Sequence, residues 1–255
     1  RDIIDPGATI GSIVAGVAGA GKGSFARELA EAVCRGTGAA SVSVSNDILP
    51  IYLANFDENS GVLVLAGTGS SVMARDSKGA THLVGGHGAL LGDRGSGYAL
   101  GLEALQACSG AADGTAGVTA LMEAIFAATH SGDIGDLVVW SGTASKRDIA
   151  AIAEIVVEQA EAGDTVAREI VLRHAGYLAD QTVSARDRGR LESSAYVLTY
   201  GGLFNHSAEF ASAYAEALLA RWPEVNLRPA HMTGHRAVAS LLMRESEDFV
   251  TVRRE

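Results

Sequence analysis

A short run of glycines and hydroxyl residues, Gly67-Thr68-Gly69-Ser70, follows the apolar segment 61–65 after one intervening residue, Ala66. The two glycines let the backbone bend so that several N–H groups converge, which forms an anion-binding concavity. Thr68 and Ser70 add hydroxyl donors to that concavity. The run therefore suits an anion such as phosphate, although a plain hairpin turn has a similar composition.

A second glycine-rich stretch covers residues 85–98, with six glycines among fourteen residues. Such a stretch costs chain entropy unless the backbone needs unusual angles there. Asp93 lies among the glycines, where its carboxylate can accept hydrogen bonds from sugar hydroxyls; the alternative is a solvated turn residue paired with Arg94. His87 is a ligand, a sugar contact or a loop histidine with satisfied hydrogen bonds, and the last is favoured.

A third candidate is Asp47, which follows Asn46 and precedes a segment with helical character, 48–55. A carboxylate is one of the groups that can act as a general base. Aspartate is also a frequent N-cap, so capping of the helix is the structural alternative. Both roles can hold at once.

Residues 16–22 fit the P-loop pattern G-x-x-x-x-G-K between an apolar run and a helical segment. The residue after Lys22 is Gly23, whereas a P-loop places there the Ser or Thr whose hydroxyl binds magnesium. Ser24 comes one residue late, and one residue turns a helical side chain by roughly 100°. We therefore prefer a close-packed turn with a solvated Lys22.

Apolar periodicity predicts alternating strands and helices, which is typical of the α/β class. The segment between residues 84 and 97 is predicted as one glycine-rich loop. Predicted strands cover 10–17, 42–44, 61–65, 72–75 and 197–200, and predicted helices cover 24–35, 48–55, 98–108, 118–130, 146–162, 165–186, 208–220 and 235–244.

Composition limits the classes of partner. The 255 residues carry a formal net charge of −10, which disfavours nucleic acid because phosphate backbones reward Lys and Arg. No apolar run reaches the roughly 20 residues needed to cross a bilayer, and residues 1–11 do not resemble a signal peptide. We expect a cytoplasmic protein with no membrane partner.

In combination, four segments resemble the BadF/BadG/BcrA/BcrD-type ATPases, and within them the N-acetylglucosamine kinases. They are Asn46-Asp47, LAGTGS at 65–70, GGHGALLGDRGSGY at 85–98 and TYGGLF at 199–204. The resemblance implies an α/β protein with the two-lobed actin/hexokinase-like (ribonuclease H-like) fold. It also implies ATP and Mg²⁺ as cofactors, and phosphorylation of an amino sugar, N-acetylglucosamine to its 6-phosphate.

The resemblance assigns roles residue by residue. The run 67–70 matches the loop that cradles the ATP phosphates, and Gly201 and Gly202 match the adenosine loop. Asp47 matches the acidic residue that accepts the proton of the sugar hydroxyl. The matching sugar-site residues are Asn46, Asp47, Gly86, His87 and Asp93.

The resemblance also implies two lobes around a cleft, one formed by 1–57 with a helix near 234–245, the other by 58–233. The first phosphate loop of the family, a D-G-G-G-T-type motif, has no counterpart, so the first lobe is incomplete. We expect an omitted N-terminal segment to carry it; a chain truly this short would have no kinase activity.

Where amino-sugar kinases usually carry a Trp, this chain has His87, which leaves glucosamine or another hexose open as the substrate. A homodimer is also left open. The alternatives are an ATPase of the same superfamily coupled to a partner protein, a sugar sensor with a decayed site, and a P-loop NTPase that uses Lys22.

Overall fold

The computed structural model describes residues 9–21, 23–56, 61–232, 234–242 and 249–254. Within these ranges the chain forms eight strands and eleven helices. In chain order they are β1 (Ser12–Gly16), α1 (Ser24–Thr37), β2 (Ser41–Ser45), α2 (Ile48–Asn55), β3 (Gly61–Ala66), β4 (Ser70–Arg75), β5 (Thr81–Gly85), α3 (Gly88–Leu91), α4 (Gly97–Ala112), α5 (Leu121–Thr129), α6 (Ile134–Thr143), α7 (Lys146–Glu161), α8 (Thr165–Gly189), β6 (Tyr196–Tyr200), α9 (Gly202–His206), α10 (Ala208–Arg221), β7 (Asn226–Pro229), α11 (Gly234–Ser240) and β8 (Val250–Arg253).

The chain divides into two compact units. Unit 1 comprises Arg1–Asn59 and Ala230–Glu255, and unit 2 comprises Ser60–Pro229. In unit 1, β2 lies between β1, which is parallel to it, and β8, which is antiparallel. The small side chains of α1 pack against β2 and β8, and α11 packs against α2.

Unit 2 contains a five-stranded sheet in the order β5-β4-β3-β6-β7. The strands β5, β4 and β3 are antiparallel neighbours, whereas β3, β6 and β7 run parallel. The central strand β3 is an unbroken apolar run, and Val62, Leu63 and Val64 are fully buried. An apolar run of this kind is what a strand needs when both of its faces are covered.

One long helix packs on this sheet, three further helices pack on that helix, and side-chain caps define where several of them begin. The long helix α8 packs against β3, β4 and β5, and α4, α7 and α10 pack on α8. Ser96 caps α4, and Asp164 caps α8. At the start of α7, Ser145 and Asp148 form a reciprocal capping box, so the first turn of this helix is firmly placed.

The secondary structure confirms most predicted elements and corrects several. Residues 84–97 are not one loop, because β5 extends to Gly85 and α3 occupies Gly88–Leu91. The helix predicted at 118–130 begins only at Leu121, and Val118 is exposed. The helix predicted at 235–244 covers Gly234–Ser240, and the end of that prediction lies outside the described residues. The strands β7 and β8 and the helices α6 and α9 were not predicted.

No helix in the described ranges is both long enough and apolar enough to cross a membrane. The 25-residue helix α8 is long enough for a bilayer, but charged residues such as Arg168, Glu169 and Asp180 recur along it.

Candidate functional site

Two loops singled out from the sequence follow neighbouring parallel strands of unit 2. In the pairing of β3 with β6, Leu65 lies opposite Tyr200, so residues 67–69 and 201–202 leave the sheet side by side. Gly201 has φ +121°, and a Cβ there would overlap the carbonyl of Ala66. A glycine is therefore needed for the two loops to converge.

The loop of residues 67–70, named the phosphate loop here for its predicted role, closes on itself and is bonded to the start of α4. The Gly67 amide donates to the Gly69 carbonyl at 2.9 Å. The carbonyls of Gly67 and Thr68 accept from the amides of Gly97 and Tyr98 at 2.7 and 3.2 Å. Among the described residues, the amides of Thr68 and Gly69 find no acceptor, so two donors are left for an anion.

Ser70 has a different role from the one predicted for its hydroxyl. The residue is 3% exposed. Its Oγ donates to the Arg94 carbonyl at 2.8 Å, and its carbonyl accepts from the Gly86 amide at 3.1 Å. The hydroxyl thus joins the phosphate loop to the second glycine-rich stretch and does not face a ligand, whereas the Thr68 side chain is exposed.

Asp93 is not the solvated partner of Arg94 that composition allowed. It is 4% exposed, and its Oδ2 accepts from Lys146 Nζ at 2.6 Å. A Cβ added to Gly69 would lie 3.2 Å from the same oxygen, so the carboxylate packs directly against the phosphate loop. The guanidinium of Arg94 lies over the ring of Tyr177 instead, 4.8 Å from its centroid.

His174 holds the same stretch from α8, and the sequence had not indicated it. Its Nδ1 accepts from the Gly95 amide at 3.2 Å, and its Nε2 lies 2.8 Å from Glu103 Oε2. Burial, with the charges of Arg173 and Arg94, lowers the pKa of His174 from 6.5 to about 4. The imidazole is therefore neutral near pH 7, and its Nε2–H donates to Glu103. A lone histidine within a helical apolar pattern gives no signal for such a role.

A cavity of about 880 Å³ brings both predicted nucleotide loops together. Gly67 and Thr68 line one part of it, and Gly202 and His206 line another. Helix α7 supplies a further wall, which includes the cation Arg147 and several glutamates. Gly69, Ser70 and Gly201, which were predicted to bind the nucleotide, are not among the residues that line it.

Gly86 and His87, predicted for the sugar, lie at the end of β5 and outside this cavity lining. Gly86 has φ +69°, and a Cβ there would approach the Cβ of Ser71 to 3.2 Å. His87 is exposed and immediately precedes α3. These positions place the predicted sugar stretch beside Ser70 and the phosphate loop.

In unit 1, Asn46 and Asp47 follow the carboxyl end of β2. Asn46 Oδ1 accepts from the Leu49 amide at 2.9 Å and so caps α2. Asp47 makes no capping bond, and it is exposed. Capping by Asp47, the structural alternative, is therefore wrong, because its neighbour does that work.

The P-loop-like run in unit 1 has a packing explanation. A Cβ on Gly16 would lie 3.0 Å from Pro50 Cγ and 3.4 Å from the Asn46 carbonyl, so glycine allows β1 to approach this turn closely. Helix α1 begins at Ser24, and no side chain caps it. Lys22, on which the P-loop alternative depends, lies outside the described residues.

The described residues contain no group of three or more His, Cys, Asp or Glu side chains arranged to hold a metal ion. A magnesium ion used here fits best as part of the nucleotide complex, because ATP phosphates supply oxygen ligands themselves.

Comparison with known proteins identifies relatives for most of the chain. Residues 6–226 match the model of the BadF/BadG/BcrA/BcrD ATPase family. An N-acetylmuramic acid/N-acetylglucosamine kinase of Clostridium acetobutylicum is 25% identical over 209 residues, which are 81% of this chain and 68% of that protein. The glucosamine kinase GspK of Vibrio cholerae is 31% identical over 134 residues, which are 52% of this chain and 44% of that protein.

A solved structure confirms the fold class. It is a Chromobacterium violaceum protein described as a candidate N-acetylglucosamine kinase, with a TM-score of 0.75 and 24% identity. The match covers 93% of this chain and 78% of that one. The chain thus has the α/β, actin/hexokinase-type ATPase fold that its motifs predicted.

Proposed function

This chain belongs to the BadF/BadG/BcrA/BcrD ATPase family, and we propose that it is a sugar kinase that transfers the γ-phosphate of ATP to N-acetylglucosamine, forming its 6-phosphate. Use of ATP follows from the family. The sugar is the finer part of the proposal, and the names of the relatives support it.

One observation carries the proposal: a single cavity is lined by both Thr68 and Gly202. The two loops lie at the carboxyl ends of adjacent parallel strands, where open α/β sheets bind their ligands. The unpaired amides of Thr68 and Gly69 suit phosphate oxygens, and Arg147 adds a positive charge to the cavity wall. The loop around Gly202 is then left for the adenosine part of the nucleotide.

Phosphoryl transfer needs the γ-phosphate to be neutralised and the attacking hydroxyl to be activated. The amides of Thr68 and Gly69 would neutralise part of the phosphate charge. Mg²⁺ bound to ATP would neutralise more of it. Asp47 would activate the attacking hydroxyl, because an exposed carboxylate without a capping bond can accept the proton of a sugar hydroxyl.

The sugar class rests on the names of two relatives, and one residue leaves the exact sugar open. The Clostridium relative is named for N-acetylmuramic acid and N-acetylglucosamine, and the Vibrio relative for glucosamine. His87 stands where the amino-sugar kinases usually carry an aromatic partner of the sugar. Glucosamine is therefore the second candidate substrate.

The test is ATP consumption by the full chain, together with any segment that precedes Arg1 in its gene. N-acetylglucosamine, glucosamine and glucose are compared with a reaction that contains no sugar. Strong stimulation by one amino sugar, with a sugar 6-phosphate as product, is the expected result. Hydrolysis that no sugar stimulates would overturn the kinase proposal and favour an ATPase coupled to a partner protein.

A further inference from the structure

An ion pair with a buried carboxylate lies directly beside the phosphate loop. The carboxylate of Asp93 is 4% exposed, and Oδ2 accepts from Lys146 Nζ at 2.6 Å. The same oxygen would lie 3.2 Å from a Cβ on Gly69. Neither Asp93 nor Lys146 is in the lining of the nucleotide cavity, so the pair adjoins the site without forming its wall.

The backbone fixes both partners of this pair. Asp93 has φ +58°, a left-handed conformation that few residues adopt, and its carbonyl accepts from the Ser96 amide at 3.1 Å. Lys146 is the first residue of α7, and the capping box of Ser145 and Asp148 holds that turn. The backbone positions of both partners are therefore set by local hydrogen bonds.

A carboxylate in this position opposes the proposed use of the loop. Its charge faces the backbone that must receive phosphate oxygens, and burial leaves little water to screen it. Lys146 supplies the compensating charge, and because its side chain is 43% exposed, it keeps contact with solvent. Arg94, which follows Asp93 in the chain, is stacked on Tyr177.

We propose that Lys146 is a positioning residue that neutralises Asp93, so that the phosphate loop can hold the phosphates of the nucleotide. Lys146 then sets nucleotide affinity through Asp93 and not by touching the ligand. The inference rests on the proposed function in one respect, namely that residues 67–70 receive phosphate.

The experiment measures dissociation constants of ADP and adenosine by calorimetry at pH 8, with the full chain. Lys146→Met leaves Asp93 as an uncompensated charge, so ADP should bind about tenfold more weakly, the effect of one nearby charge at an intermediate dielectric. Adenosine has no phosphate and should bind as in the wild type. Lys78→Met is the matched control, since Lys78 is exposed in a turn of the same unit.

A second pair of variants separates neutralisation from direct contact. In Lys146→Met/Asp93→Asn both charges are gone, and ADP affinity should return to within about threefold of the wild type. Asp93→Asn alone should bind ADP at least as tightly as the wild type, because the lysine charge is then unopposed. Asparagine tolerates the left-handed backbone, so this variant should fold, which a thermal melt checks.

Three results would overturn the inference: unchanged ADP affinity in Lys146→Met, an equal loss for adenosine and ADP, or a double variant as weak as the single one. The second would indicate a merely structural role, and the third a direct contact between Lys146 and phosphate. The proposed function fails separately, if the wild type binds no ADP or if no sugar stimulates ATP consumption.

Discussion

The phosphate loop of unit 2 and the Asn46-Asp47 turn of unit 1 are held in place in different ways. The loop is supported from distant parts of the chain, by the Ser70 hydroxyl on the Arg94 carbonyl and by the Asp93–Lys146 pair. The turn is supported locally, by Asn46 capping a helix that starts two residues later.

In both units, different groups support the backbone and are available to a ligand, but the division differs between the units. In unit 2, buried polar side chains are used for support, and the groups left for a ligand are backbone amides and the exposed Thr68. In unit 1, Asn46 supplies the support, and the neighbouring Asp47 carboxylate is left exposed. A substitution of a supporting side chain such as Ser70 should therefore affect stability, whereas a substitution of Asp47 should affect only the reaction.

Asp47→Asn gives the largest expected effect. Loss of a general base should lower kcat roughly 10²- to 10⁴-fold, while the thermal midpoint and ADP affinity stay at wild-type values. Steady-state kinetics with the best sugar measure this, and Asp113→Asn, at the exposed end of α4, is the control. A kcat within about threefold of the wild type would show that Asp47 is not the general base.

Gly201→Ala should produce the largest loss of stability. Its Cβ meets the Ala66 carbonyl at a positive φ, so we expect a loss of about 2–4 kcal/mol in the free energy of unfolding. Urea denaturation measures it. Gly202→Ala is the matched control: the nearest atom is 3.9 Å away, and stability should change by less than about 1 kcal/mol. Equal effects at both positions would contradict this role of Gly201.

His174 makes the support of the loop dependent on pH. Its pKa is about 4 in the folded chain, whereas a histidine in an unfolded chain has a pKa of about 6.5, so the unfolded state binds more protons between these values. Stability should therefore fall by about 2–3 kcal/mol as the pH drops from 6.5 to 4, and be fully present above 6.5. Urea midpoints across this window measure the fall, which His174→Gln should reduce. The same slope in both proteins would exclude His174 as its cause.

Ser70→Ala and Thr68→Ala should have the smallest effects, the first on stability and the second on ADP affinity. Ser70→Ala removes a buried hydrogen bond and should cost about 1–2 kcal/mol of stability without changing ADP affinity. Thr68→Ala should leave stability unchanged and weaken ADP binding several-fold, since this side chain lines the cavity. Urea denaturation and calorimetry on the same samples compare them. Weaker ADP binding in Ser70→Ala would indicate that the Ser70 hydroxyl contacts the ligand.

The elements that were predicted have strong local patterns. The apolar run of β3 and the capping signals of α7 each lie within a few consecutive residues. The unpredicted β8 is four residues long, and its apolar side chains matter only because Val250 and Val252 pair with Val44 and Val42 some two hundred positions earlier. A strand of this kind has no local signal strong enough to distinguish it from a polar terminus.

The sequence by itself determined the family, the fold class, and the candidate residues Asp47, Thr68 and Gly202, because glycine spacing, apolar runs and motif order are local properties. Only the tertiary structure decided what the polar side chains around the phosphate loop do. Asp93 pairs with Lys146, 53 positions away, and His174 holds Gly95 across 79 positions. Such partners meet only when helices α7 and α8 pack on the sheet, and burial then turns a hydroxyl, a carboxylate and an imidazole into supports of the loop.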